Sequence, residues 1–289
     1  MDDAHDLGLF GPRSVTWKLH QEPILGLAGL RSLYFQALHP RAVAGVAQNS
    51  VYKDDAWGRL MRTSMYVATT IYAPTAEAEA AGHRLRRLHA RLSAVDPATG
   101  ERFRIDEPDL LRWVHVTEVE SFLTVARRAG LSLTDAEVDT YYAEQLRSAE
   151  LVGLDPATVP STAAEVAAYY EQVRPELRLT RDGAETMMFL TVPPVPDSWD
   201  LSLPARLGLT LGPTRWAYLG IASTALALLP PWARKLYGGL GWATTDLTAD
   251  LSVKSIRLLL AALPRRLRVS PMRQAALERA AAAGHLVDA

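Results

Sequence analysis

The chain has 289 residues, 48% hydrophobic and 22% charged, the make-up of a globular protein with a sizeable core. Lys and Arg number 31 against 32 Asp and Glu, so the basic excess of a nucleic-acid binder is missing. There is no cysteine, which excludes a disulfide framework, a thiolate metal site and a cysteine nucleophile.

The first residues, "MDDAHDLGLFGP", are acidic and lack the basic start and apolar run of a secretory signal, so a cytoplasmic location is expected. Helical patterns follow. "PRSVTWKLHQEPILGLAGLRSLYFQALHP" reads as two helices divided near Glu22-Pro23, and "PRAVAGVAQNS" as a short third. "WGRLMRTSMYVATTIYA" opens a long helix. Its residues Trp57, Leu60, Met61, Ser64, Val67, Ala68 and Ile71 recur at helical spacing and mark a buried face. The same segment carries Arg59, Arg62, Thr63, Tyr66 and Thr70, which form either a wet edge or a pocket lining.

"PTAEAEAAGHRLRRLHARLSAV" is the next helix, acidic early and basic late as the helix dipole favours. Leu85, Leu88 and Leu92 mark its apolar stripe. "DPATGERFRID" is a turn or short hairpin. "EPDLLRWVHVTEVESFLTVARRAG" is an amphipathic helix closed by Gly130, and "SLTDAEVDTYYAEQLRSAELVG" opens with the capping box Thr134 and Glu137. "PSTAAEVAAYYEQVRPEL" repeats the device with Ser161 or Thr162. "TVPPVPDSWDLSLP" is a proline-rich crossing, and helices resume to the end. No series of alternating runs suggests a sheet, so the fold class is all-α. "WAYLGIASTALALLPPWA", Trp216 to Ala233, is 18 uncharged residues broken by Pro230-Pro231. A folded helix-turn element is expected there, with a membrane-touching hairpin as the alternative.

Of seven histidines, His5 and His285 sit near the ends and are set aside. His20 and His39 read as structural. His83 and His89 are about 600° apart around one helix, so "HRLRRLH" is not the i, i+4 pair of a zinc site. His89 follows the apolar stripe and His83 lies away from it. His115 has Glu118 one turn later, a pair able to share a hydrogen bond. No Glu-x-x-His occurs, which argues against a di-iron bundle. No G-x-S-x-G, Walker loop or G-x-G-x-x-G is found.

Six stretches in order, "GPRSVTWKLHQEP", "LHPRAVAGVAQNS", "WGRLMRTSMY", "RRLHARL", "RWVHVTEVESF" and "YYAEQLRSAELVG", resemble the rubber oxygenase catalytic-domain family, which includes the latex-clearing proteins and MpaB-type oxygenases. The resemblance implies a single all-helical domain over 1–289, with 11–180 the best-matching core and 200–289 packing on it. It implies a b-type haem with His89 as the proximal iron ligand, and dioxygen chemistry on a hydrophobic, unsaturated molecule. The family's distal R-x-x-K-T pattern reads here Arg59, Arg62, Thr63. Arg59 would also meet the cofactor, and His115 and Glu118 would be pocket groups. Arg62 departs from the pattern, because a guanidinium keeps its proton and is a very poor iron ligand. A peroxidase-like haem enzyme tailoring a peptide or natural product is the first alternative. A non-catalytic haem- or lipid-binding helical protein is the second. The expected partners are a small hydrophobic substrate and dioxygen, with no nucleic acid and with weak membrane contact through 216–233.

Overall fold

The computed structural model describes residues 6–49, 55–195, 202–239 and 243–285. His5 and the middle of the proline-rich crossing lie outside them. The helices run α1 (Val15–His20), α2 (Leu25–Gln36), α3 (Pro40–Asn49), α4 (Ala56–Tyr72) and α5 (Thr75–His89). A hairpin of β1 (Ser93–Val95) and β2 (Arg102–Arg104) follows, paired antiparallel with Ala94 opposite Phe103. Then come α6 (Pro108–Arg128), α7 (Asp135–Val152), α8 (Ala163–Val173), α9 (Arg181–Thr191), α10 (Leu203–Leu211) and α11 (Pro213–Ala227). The chain continues through α12 (Pro231–Leu236), α13 (Ala243–Ala261), α14 (Arg265–Arg268) and α15 (Pro271–Ala282). The all-α expectation holds, and the hairpin falls where the "DPATGERFRID" turn was read.

Local chemistry sets the boundaries. α6 has Pro108 in its first turn with Asp109, and Arg127 and Arg128 in its last, complementing the dipole at both ends. α7 starts with the full Thr134–Glu137 capping box and stops at Gly153, whose φ of 95° favours a residue without Cβ. Thr162, not Ser161, caps α8.

The main core is built around α2 and α6, with α7, α8, α11, α12 and α13 closing over them. Trp113, Phe35 and Tyr170 stack within it, Phe35 and Trp113 edge-on at 5.3 Å. Arg31 is buried to 1% exposure at its centre. Its guanidinium donates to Glu120 at 2.6 Å, to Ser121 at 2.5 Å and to the Leu228 carbonyl at 3.0 Å. One cation thereby joins α2, α6 and the end of α11, and no lone charge is left in the core. The C-terminal helices are tied on by further pairs. Arg234 grips Asp246, Arg128 reaches Asp250, and Arg257 holds Glu22 through two donors.

The 216–233 segment is a helix-turn element. Ala222, Ala225, Leu228, Leu229 and Ala233 are buried in the core, and Pro230 precedes α12. Among the described residues no helix is long and apolar enough to cross a membrane.

Two expected faces differ. α5 ends at His89, so Leu92 lies beyond the helix, and Leu88 is exposed. The buried stripe of α5 is Ala78, Ala81, Gly82 and half-buried Leu85. Small residues line it because α5 lies close on α7. A Cβ at Gly82 would stand 2.8 Å from the Leu151 carbonyl oxygen. On α4 only the second half of the expected apolar face is covered. Ile71 is buried and Val67 and Ala68 are half-buried, whereas Leu60, Met61 and Ser64 are exposed, Met61 to 63%.

Candidate active site

Arg59, Thr63, Tyr66 and Thr70 fall within about 60° of one another around α4 at about 100° per residue. Their surroundings change along the helix. Thr70 is buried and donates to the Val67 carbonyl at 2.8 Å. Tyr66 carries a buried hydroxyl with no hydrogen-bond partner among the described residues. Arg59 is half-buried. Thr63 is exposed and donates to the Arg59 carbonyl, and Arg62 pairs with Asp55 at 3.1 Å with its side chain 63% exposed. The stripe is therefore a pocket lining at one end and a wet edge at the other.

The inner end of that stripe meets α1, α6 and α7. Glu118 of α6 acts through space on the phenols of both Tyr66 and Tyr141. Tyr141 lies 3.5 Å from the Nε2 of His20, whose ring also packs on Phe122 at 4.9 Å. These are polar groups set among apolar neighbours. Burial dominates every one of them. The Glu118 carboxyl is pushed up to about 7, and the Tyr66 phenol up to about 12. The His20 imidazole is pushed down to about 3 by the same cause. Glu118 and His115 are half-buried and neither makes a hydrogen bond among the described residues.

His115 turns to the other flank of α6. It lies with Val116, Val119, Tyr142, Gln145, Pro160 and Val166 in a small gap between α6, α7 and α8. Burial drives it down to about 4, so it is a neutral imidazole. The expected His115–Glu118 hydrogen bond is not formed. The two residues share one side of α6 but serve different neighbours.

His89 ends α5. Its Nδ1 is buried with no hydrogen-bond partner among the described residues. Desolvation lowers the ring's pKa against a smaller upward pull from Asp106, which keeps the imidazole neutral. α4 and α5 pack against each other. Arg59 lies 13 residues before the end of α4 and His89 14 residues into α5, each about 20 Å from the turn at about 1.5 Å per residue. Among the described residues no hydrogen bond joins His89 to Arg62, Thr63 or His115. Leu60, Met61 and Met65 on α4 and Leu88 on α5 leave apolar surface open at this same end of the helix pair. His83 points away and meets Arg86 at 2.7 Å. Arg86 also donates to the Leu151 carbonyl at 2.9 Å, which fixes α5 against the end of α7.

Residues 17–269 match the family model described as ER-bound oxygenase mpaB/B'/Rubber oxygenase, catalytic domain. The chain belongs to this family. Membership makes it an oxygenase, an enzyme of the oxidoreductase class, and accounts for the ordered motifs from Trp17 onward. No curated protein matches it, and no solved structure matches it.

A haem asks the protein for one good axial nitrogen and for apolar surface, and this donor set fits. His89 offers a neutral ring with an unused nitrogen, which suits iron. Among the described residues no three His, Cys, Asp or Glu side chains gather as a metal cluster. A haem needs only one such ligand, so that arrangement is compatible with it. Sequence reasoning did not pair Tyr141 with His20. Only the fold, across 121 residues, brings these two together.

Proposed function

We propose that this oxygenase is a haem b protein in which His89 holds the iron, and that it brings dioxygen to a hydrophobic, unsaturated organic substrate. The observation that carries the reading is the neutral, half-buried imidazole of His89, whose buried Nδ1 has no partner among the described residues, at the apolar end of the α4–α5 pair. Bound haem would supply the dioxygen activation, while the protein sets access, polarity and substrate position.

The chain's own residues have separable tasks. Arg59, near the start of the neighbouring helix α4, would meet an acidic group of the cofactor. Thr63 offers a hydroxyl at the same end. Arg62 keeps its proton and supplies charge at the rim, not a ligand. Glu118 is poised between its acid and its carboxylate near neutral pH, so it can hold or release a proton beside a polar atom of the substrate. The unpartnered Tyr66 hydroxyl can donate a hydrogen bond to that atom. His115 stays neutral and shapes the far flank of α6. The proposed setting is cytoplasmic with peripheral membrane contact.

The test is spectroscopic and then chemical. Protein purified from haem-replete cells should be red-brown with an intense Soret band. Replacing His89 by Ala should strip or loosen the haem, whereas His115→Ala should retain it. A colourless protein that refuses added haemin, or loss of haem in His115→Ala but not in His89→Ala, overturns the assignment. Alkene turnover with dioxygen supports the oxygenase chemistry. Turnover with peroxide alone would mark a peroxidase-like enzyme, and a haem spectrum without turnover would mark a carrier.

A further inference from the structure

The C-terminal helices expose apolar surface that the core does not need. On α13, Leu247, Leu251 and Leu258 lie within about 40° of one another at about 100° per residue. They are 62%, 59% and 69% exposed. The opposite face, Ala249, Val253, Ile256 and Leu260, packs into the core. A helix that is apolar on both faces needs two apolar neighbours, and the core is only one of them. The exposed surface continues past α13 through Leu259, Leu263 and Leu267 of "LLLAALPRRLR". α11 packs beside α13 and adds Trp216, 70% exposed.

The charges around this surface have one sign. Between Asp250 and Glu278 there are six Lys or Arg residues and no acid, in a chain whose overall charge is near zero. The acids of α13 itself are turned inward, Asp246 to Arg234 and Asp250 to Arg128. Arg257 is held by Glu22 and Arg273 by Gln21. Lys254, Arg265, Arg266 and Arg268 remain as exposed cations flanking the leucines.

We propose that the α13–α14 face docks on the surface of a membrane rich in anionic lipid. The leucines enter the boundary between headgroups and acyl chains, and the arginines meet phosphates. Trp216 has the amphipathic ring that suits the interface. No described helix is a span, so contact is interfacial. A second copy of the chain is the poorer occupant, because a twofold contact through this patch would set its arginines against themselves. Apart from Trp216, this surface lies outside the expected 216–233 hairpin, whose Ala222, Ala225, Leu228, Leu229 and Ala233 are core. It does not depend on the haem reading and can fail without it.

The experiment is cosedimentation of the full chain with vesicles of phosphatidylcholine alone or mixed with phosphatidylserine, at low and raised salt. Binding should require phosphatidylserine and weaken as salt rises. Arg265→Gln with Arg266→Gln and Arg268→Gln should weaken it by roughly fivefold per arginine, about 100-fold together. Leu258→Gln with Leu259→Gln and Leu267→Gln should weaken it at least about tenfold. Both triple variants change exposed residues, so their unfolding midpoints should match the parent's, which separates lost docking from lost folding. No phosphatidylserine-dependent binding, or variants that bind like the parent, overturns the proposal. So does a dimer in solution that the leucine variant dissolves while vesicles bind nothing.

Discussion

Replacing Glu118 by Gln removes the α6 carboxyl that acts on Tyr66 and Tyr141 while keeping its shape. In the folded protein burial raises its pKa from 4.5 to about 7. The unfolded chain therefore releases this proton first as pH rises. The sign follows directly: the stability associated with the neutral acid is complete below about pH 4.5 and is lost through about pH 7. The full penalty, present above pH 7, is roughly 3 kcal/mol, since one pKa unit corresponds to about 1.4 kcal/mol. Other groups titrate in the same range. His20, His39 and His115 are held down at about 3, 4 and 4 by burial, so each adds stability that is lost as pH falls from about 6.5. These histidines are common to both proteins and cancel in the difference. Urea unfolding followed by tryptophan fluorescence at closely spaced pH values from 4.5 to 8 measures that difference. Glu118→Gln should match the parent at the acid end and be more stable by up to about 3 kcal/mol at the alkaline end. A difference that stays flat across the range would show that the carboxyl is solvated or paired, and the role given to Glu118 would have to be rethought.

Other changes probe the frame that holds the site. Arg31→Ala leaves Glu120 buried without its cation and should cost about 3–5 kcal/mol in urea unfolding; a loss under about 1 kcal/mol would mean that the network is not structural. Gly82→Ala pushes a Cβ against the Leu151 carbonyl and should cost about 1–3 kcal/mol, with weaker haem retention because His89 rides on the same helix. A neutral result there would show that α5 sits less closely on α7. Thr134→Ala removes the cap of α7 and should cost about 1 kcal/mol, read from the same curves. Arg62→Lys should leave the absorption spectrum of the haem-loaded protein unchanged up to mildly alkaline pH, since an exposed lysine beside Asp55 has no reason to lose its proton. A shift to a six-coordinate low-spin spectrum would place the start of α4 against the iron.

Much of the fold was legible because its signals are local. The Thr134–Glu137 box and Pro230-Pro231 act within one turn of the chain and fall where the sequence put them. The reading of α4 was less successful for a physical reason. Periodicity reports that a helix has two unlike faces, and it says nothing about which one meets protein. Trp57, Met61 and Ser64 lie on the side that sequence logic calls core, yet Met61 and Ser64 are exposed and Trp57 is half-buried against Tyr218. Glu118 acts on Tyr66 and Tyr141 of two other helices, and no spacing rule links those positions. The same limit applies to α13, where only the structure shows that the core takes the Ala249 and Val253 side and leaves Leu247, Leu251 and Leu258 outside.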